Sequence, residues 1–266
     1  MFETVLVPLD GSSFGEFALA PALSVARRAQ ARLELLTVSD PLPTSPTRVP
    51  EEEALEGEAG RYLAEIRERI LQAWDGGSVD VSIFRGPVAE CIEARAESEG
   101  VDLVVMASHG RGPVSRFWLG SVTDEFVRHA PGPVVVIRPE GGREPVLVED
   151  FEPGRILVPV DRTEVSTVVL DRAVELGGLF DARFRLYTVV PYPAETIHPY
   201  LTKASAMDDE WQKEVTEEAR GRLEEVAERL RERDLEVETS VVKGENAAAW
   251  ILREAREWEA DLVAMG

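Results

Sequence analysis

The stretch VVMASHGRGPVSRFWLGSVTDEF, residues 104–126, decides how the chain is read. A run of apolar residues ends at Met106. Ala107, Ser108, His109 and Gly110 lead out of it, Arg111 and Arg116 follow, and Gly120-Ser121-Val122 opens a new segment. A short apolar run rich in β-branched residues and bounded by glycine reads as a buried strand. A Gly-Ser ahead of apolar residues at helical spacing reads as a helix start. Strand, loop and helix in that order belong to a parallel sheet covered by helices on both faces.

Working outward, the pattern occurs twice. Val5-Leu6-Val7-Pro8-Leu9-Asp10 matches Ile156-Leu157-Val158-Pro159-Val160-Asp161, and at the same offset Leu36-Thr37-Val38 matches Tyr187-Thr188-Val189. Further on, Val101 to Ala107 (VDLVVMA) matches Ala260 to Gly266 (ADLVAMG), so the second copy has gained eight residues in between. Matches that recur in order mark an internal repeat. We expect one domain over 1–139, a Gly-, Pro- and Glu-rich linker over 140–153, and a second domain over 154–266. The second copy has no counterpart of residues 108–137 in the given sequence, so its last helix and strand are not expected.

Each copy alternates strand and helix. In the first, residues 3–9 read as strand one. Ser13 with Glu16 predicts a capping box for a helix running to about Arg28. Residues 32–38 are strand two, and 39–50 a Pro- and Ser-rich loop. Glu51-Glu52-Glu53 suits the positive end of a helix reaching about Ala73. Strand three alternates around Val79, Val81 and Ile83. Pro87 suits the first turn of helix three, and residues 102–106 are strand four. Ser121 is the expected cap of helix four, and Pro133–Ile137 is strand five. Right-handed crossovers make each copy a doubly wound sheet. Ligands bind such sheets beyond the carboxyl ends of the strands, where strand order reverses. Asp10 and the 107–121 loop come together if strands one and four are neighbours, which periodicity does not decide.

Composition narrows the function. The net charge is -21, with 50 acidic residues, 26 Arg and 3 Lys, which argues against a basic nucleic-acid-binding face. That acidity fits a salt-rich cell interior and equally a GC-rich genome with carboxylates serving solubility. No apolar stretch reaches the ~18 residues of a membrane-spanning helix. The start lacks the pattern of a signal peptide, so a cytoplasmic protein is expected. The single cysteine, Cys91, sits in an apolar helical pattern and reads as a buried thiol. The acidic segment 208–234 mixes carboxylates with arginines at helical spacing and reads as a solvated face.

The loop itself reads as Ala107-x2-Gly110-x9-Gly120-Ser121. Gly110 lets a ligand approach the backbone. The free N–H groups and dipole of the helix opened by Gly120-Ser121-Val122 favour phosphate, and Arg111 and Arg116 screen its charge. There is no Gly-Lys-[Ser/Thr] ending, so this is not a Walker loop. By itself, Asp10 before Gly11 is a turn residue, and Gly120-Ser121 an ordinary helix start. His109 has no evident carboxylate partner and reads as a loop residue, and His129 and His198 as surface residues. Asp161 and Val189 persist in the second copy, but Arg162 stands where Gly11 does, so one complete site is expected.

The segments VLVPLDGS, VMASHGRG and LGSVTDEFVRHAPGPVVVIRP together resemble the universal stress protein family, over the first copy and most of the second. The resemblance implies a five-stranded sheet of order 3-2-1-4-5, of the adenine-nucleotide alpha-hydrolase-like kind, in a tandem member. It implies binding of ATP, with or without Mg2+, by a stress-response sensor or switch with at most slow hydrolysis. It places adenine and ribose contacts at Pro8, Asp10, Val38 and Met106, and ribose and phosphate contacts at Ala107, Gly110, Gly120, Ser121 and Val122. Ala107 departs from the family glycine, and a methyl there would crowd the sugar or forbid a positive φ. Family members pair units through strand five, which implies a homo-oligomer or a pseudo-dimer within the chain. Two other readings stand beside this one. The first is a nucleotide-free interaction module. The second is a related hydrolase or ligase, disfavoured because Asp10-Gly11-Ser12-Ser13 replaces S-G-G-x-D-S.

Overall fold

The buried Val5, Leu6 and Val7 of β1 (Thr4–Pro8) form the centre of a six-stranded sheet. The computed structural model describes residues 2–40, 44–50, 57–98, 100–108, 120–139, 144–147, 151–161, 164–191 and 204–266. The chain divides into two compact units, Met1–Glu152 and Pro153–Gly266.

In the first unit β1 is followed by a 3-10 turn (Gly15–Ala18), α1 (Leu19–Ala29), β2 (Arg32–Asp40), β3 (Thr47–Arg48), α2 (Glu58–Ala73) and β4 (Val79–Arg85). Then come α3 (Val88–Glu97), β5 (Leu103–Ala107), α4 (Ser121–His129) and β6 (Val134–Ile137). The strands lie in the order β3-β4-β2-β1-β5-β6. All pairs are parallel except the short β3, which runs antiparallel to the end of β4. Counting the five parallel strands along the chain, the order is the expected 3-2-1-4-5. Leu6, Leu36, Phe84, Cys91, Ile92, Val104, Met106 and Phe126 form one core cluster. Cys91 is fully buried, and burial pushes its thiol up.

The second unit holds β7 (Arg155–Pro159), α5 (Glu164–Gly178), β8 (Arg183–Val190), α6 (Ala204–Arg231), β9 (Val237–Lys243), α7 (Ala247–Glu257) and β10 (Leu262–Val263). Its parallel sheet has the order β10-β7-β8-β9, the first unit's pattern with one strand fewer. Along α6, Arg220 pairs with Glu217 at 2.7 Å, and Arg222 with Glu218.

The repeat is carried by polar contacts as well as by apolar runs. Asp102 Oδ2 accepts from the N–H groups of Glu3 (2.7 Å) and Thr4 (3.0 Å), and Asp261 Oδ2 accepts from Arg155 N–H at 2.9 Å. Each aspartate ties the start of one strand to the start of its neighbour. Gln30 and Asp181, with φ of 54° and 52°, end α1 and α5 in the left-handed conformation that closes a helix. Thr37 and Thr188 donate at 2.8 Å to the carbonyls of Leu9 and Val160.

One repeated contact changes sign. In the first unit Glu34 on β2 receives two bonds from Arg95 on α3, at 2.8 and 2.5 Å, with the side chains 5 % and 11 % exposed. Burial by itself would raise the Glu34 carboxyl. The Arg95 bonds and charge, helped by the adjacent Ser82 hydroxyl, outweigh burial and hold it below its ordinary value. At the matching positions of the second unit the arginine is on the strand and the glutamate on the helix. Arg185 on β8 meets Glu254 on α7 at 2.7 Å, also pairs with Glu238, and lies 4.6 Å over the Trp258 ring.

Several local expectations are corrected. No capping box forms at Ser13, because the chain enters a 3-10 turn with Phe14, not Ser13, at the cap position, and Glu16 reaches Arg69 at 3.0 Å instead. Ser121 is the first residue of α4, not its cap. Gly120 occupies the cap position, with no side-chain bond. Pro87 likewise stands just before α3. The 39–50 loop contains β3, whose two residues are too few for any periodicity to show. Helix α2 begins at Glu58, and Glu51–Glu53 lie outside the described residues. At the end of the expected linker, Phe151 N–H donates to Ser24 Oγ at 3.3 Å and Glu152 pairs with Arg28, both against α1.

Candidate functional site

Strand order reverses between β1 and β5. β2 lies on one side of β1, while β5 pairs with β1 through Val5↔Leu103 and Leu6↔Val104. The crossovers leave β1 in opposite directions there and open a crevice at the carboxyl ends of the two strands.

Pro8 ends β1 half-buried, and the exposed Asp10 follows it. The Asp10 carboxylate is clasped from one side: Oδ1 accepts from Ser12 N–H at 3.0 Å and Ser12 Oγ at 2.6 Å, and Ser12 Oγ in turn accepts from Gly15 N–H at 3.2 Å. Oδ2 accepts no bond among the described residues. A Cβ at Gly15 would come within 2.8 Å of Asp10 Oδ1, so only glycine lets the carboxylate rest against the turn. Gly11 has φ of 79°, the left-handed backbone that turns the chain away after Asp10.

Met106 is buried at the end of β5, and Ala107 is half-buried beside it. Ala107 pairs with Ile137 as an ordinary strand residue, so this position demands no positive φ and the alanine costs no backbone strain. The Thr123 hydroxyl donates to the Ala107 carbonyl at 3.4 Å and brings the start of α4 to the end of β5. There Gly120 is half-buried, Ser121 exposed, and Val122 packs against the core cluster, as does Val38 near the end of β2. Gly110, with His109, Arg111 and Arg116, lies outside the described residues, as does His198. Pro8, Asp10, Val38, Met106, Ala107, Gly120, Ser121 and Val122 therefore all stand at the carboxyl-end side of one sheet. His129, on the exposed end of α4, has its Nδ1 3.1 Å from the Glu125 carbonyl and takes no part.

One neighbour has no signal in the sequence. The Tyr62 hydroxyl on α2 is buried with no hydrogen-bond partner among the described residues. Burial, then the charges of Glu16 and Asp10, push its phenol well up. Tyr62 sits in a helical pattern where an aromatic residue is ordinary core.

The universal stress protein family model matches residues 1–138 and again 153–266. The chain belongs to the universal stress protein family. A putative universal stress protein of Staphylococcus haemolyticus is 30% identical over 169 residues, 62% of this chain and 98% of that protein. A universal stress protein of Thermus aquaticus is 33% identical over 138 residues, 52% of this chain and 100% of its own length. These relatives match little more than half of this chain. A universal stress protein structure from Archaeoglobus fulgidus covers 98% of this chain and 85% of its own, with TM-score 0.66 at 18% identity, and so shares the fold. The family is thus present in tandem, with a shorter sheet in the second copy. Among the described residues no helix is long and apolar enough to cross a membrane.

Proposed function

We propose that the first unit binds an adenine nucleotide, ATP with or without Mg2+, and that occupancy makes the protein a stress-response switch. The observation that carries this reading is the adjacency of β1 and β5, which puts Asp10 Oδ2 and the start of α4 on one crevice. A carboxylate so held accepts from the hydroxyls of a ribose. The unbonded N–H groups at the start of α4 and the Ser121 hydroxyl favour phosphate oxygens. The backbone of Val38 reads the adenine edge, and Met106 with Val122 gives an apolar floor. Among the described residues no base is positioned at the site, which favours slow turnover at most. The outer edge of β6, four apolar residues that pair with β5 alone among the described residues, is the surface through which copies associate.

Calorimetric titration of the purified chain with Mg-ATP tests the reading. One site per chain is expected, weakened about tenfold or more in Asp10→Ala, as loss of a charge-assisted hydrogen bond implies. Ser121→Ala weakens it less. Absence of binding overturns the nucleotide reading and leaves a nucleotide-free interaction module. Two sites per chain contradict its restriction to the first unit.

A further inference from the structure

A second recess runs along β4, the last parallel strand of the first sheet, from Val79 at its start to Phe84, which pairs with Val38. It is a cleft of about 750 Å³, and its charged lining is Arg32, Glu34, Arg48, Arg67, Asp80 and Arg95. Acidic residues outnumber basic ones 50 to 29 in the chain, yet here four arginines face two carboxylates. The balance is reversed where the walls are protein, which concentrates the field.

The two carboxylates are already occupied. Glu34 is held by both Arg95 bonds, and Arg95 also donates to Ser98. Arg32 lies 3.4 Å from Asp80 and donates to Thr4 Oγ1 at 3.1 Å. The surplus belongs to the other two arginines. Arg67 donates through Nε to the Val79 carbonyl at 2.8 Å, which anchors the guanidinium at the strand edge and leaves both terminal nitrogens without a partner among the described residues. Arg48 stands on β3 opposite Phe84, on the sheet face that carries Ser82 and Glu34, and has no hydrogen bond or ion pair among the described residues.

We propose that this cleft binds a small phosphate dianion, as inorganic phosphate or as a phosphate monoester, through Arg48 and Arg67. Two guanidinium forks match two pairs of phosphate oxygens, and a dianion cancels the formal surplus. The volume leaves room for the organic part of an ester. The Glu34–Arg95 pair is the floor of the cleft: Arg95 holds Glu34 by two bonds, and the Arg48 charge also acts on that carboxylate. The lining shares no residue with the strand-end site.

The test is titration of the full chain with inorganic phosphate and with glucose 6-phosphate, at constant ionic strength in chloride. It uses wild type, Arg48→Gln and Arg67→Gln. Saturable binding of at least one probe is expected, weakened tenfold or more in Arg48→Gln and in Arg67→Gln. The Arg48 side chain makes no hydrogen bond or ion pair among the described residues, and glutamine adds no charge beside Glu34, so unchanged urea unfolding of Arg48→Gln checks that the variant folds. Tighter binding of glucose 6-phosphate identifies an ester as the ligand, and equal binding identifies the phosphate group alone. No saturable binding, or binding unchanged in Arg48→Gln or in Arg67→Gln, overturns the proposal. Binding unchanged in both places the phosphate elsewhere on the chain.

Discussion

Arg95→Ala removes the helix half of the Glu34–Arg95 pair. Glu34, 5 % exposed, then keeps a carboxylate with the Ser82 hydroxyl and no cation in bonding contact. Removing one partner of a buried pair costs about 3–5 kcal/mol, because the other charge stays desolvated. The low exposure of both side chains puts the expected loss inside that range. The loss depends on pH. The folded Glu34 carboxyl lies below its ordinary value of 4.5, so the pair contributes stability above that pH and loses it as pH falls through the folded value. Arg95→Ala should therefore flatten the acid limb of the stability curve. Urea unfolding with hydrogen exchange read on β2 and α3 peptides assigns the loss to the first unit. The double change Glu34→Arg with Arg95→Glu should recover most of it, since the second unit carries that polarity in Arg185 and Glu254. The same double variant gives both units one polarity. In the wild-type chain, α3 settling on the second sheet, or α7 on the first, would bury like charges together. With one polarity that penalty vanishes, and refolding at high concentration should yield more swapped oligomer. A loss below about 1 kcal/mol for Arg95→Ala, the worth of an exposed pair, would refute the reasoning.

Gly15→Ala should displace the Asp10 carboxylate, since the added Cβ meets Oδ1 at 2.8 Å. Nucleotide affinity falls with little change in the melting midpoint, and unchanged affinity in calorimetry would count against the clasped geometry. Tyr62→Phe removes a buried hydroxyl that has no partner among the described residues and should raise stability by about 1 kcal/mol. A fall in thermal midpoint would mean that the hydroxyl is bonded in solution. Gly177→Ala drives a methyl to 2.5 Å from the Phe184 ring and 2.8 Å from Ile156 Cδ1, where α5 packs on its sheet. It should cost about 1–3 kcal/mol, seen as faster exchange in β7 and β8 alone.

Much of this architecture was legible in one dimension. The repeated apolar runs at Val5–Asp10 and Ile156–Asp161 announced two parallel sheets, because a strand buried on both faces has to be apolar throughout. The strands fell within about two residues of their expected bounds. The glycines and small residues after Met106 were read as a ligand loop, because close backbone approach requires them, and most of that loop lies outside the described residues. The misreadings were local. Ser13 with Glu16, and Ser121 before its helix, satisfy the capping pattern, but the backbone began each helical segment elsewhere. A cap depends on φ and ψ at one residue, which spacing does not report.

The sequence by itself determined the family, the alternation of elements and the residue types offered to a ligand, since these follow from periodicity and composition. Only the tertiary structure decided that β1 neighbours β5, that Tyr62 faces the charge of Asp10, and that four arginines meet along β4. It also showed that Glu34–Arg95 and Arg185–Glu254 are one contact with reversed sign. Such pairings join residues some 50 to 100 positions apart. Nothing in a local window records which distant side chain will fill the space beside it.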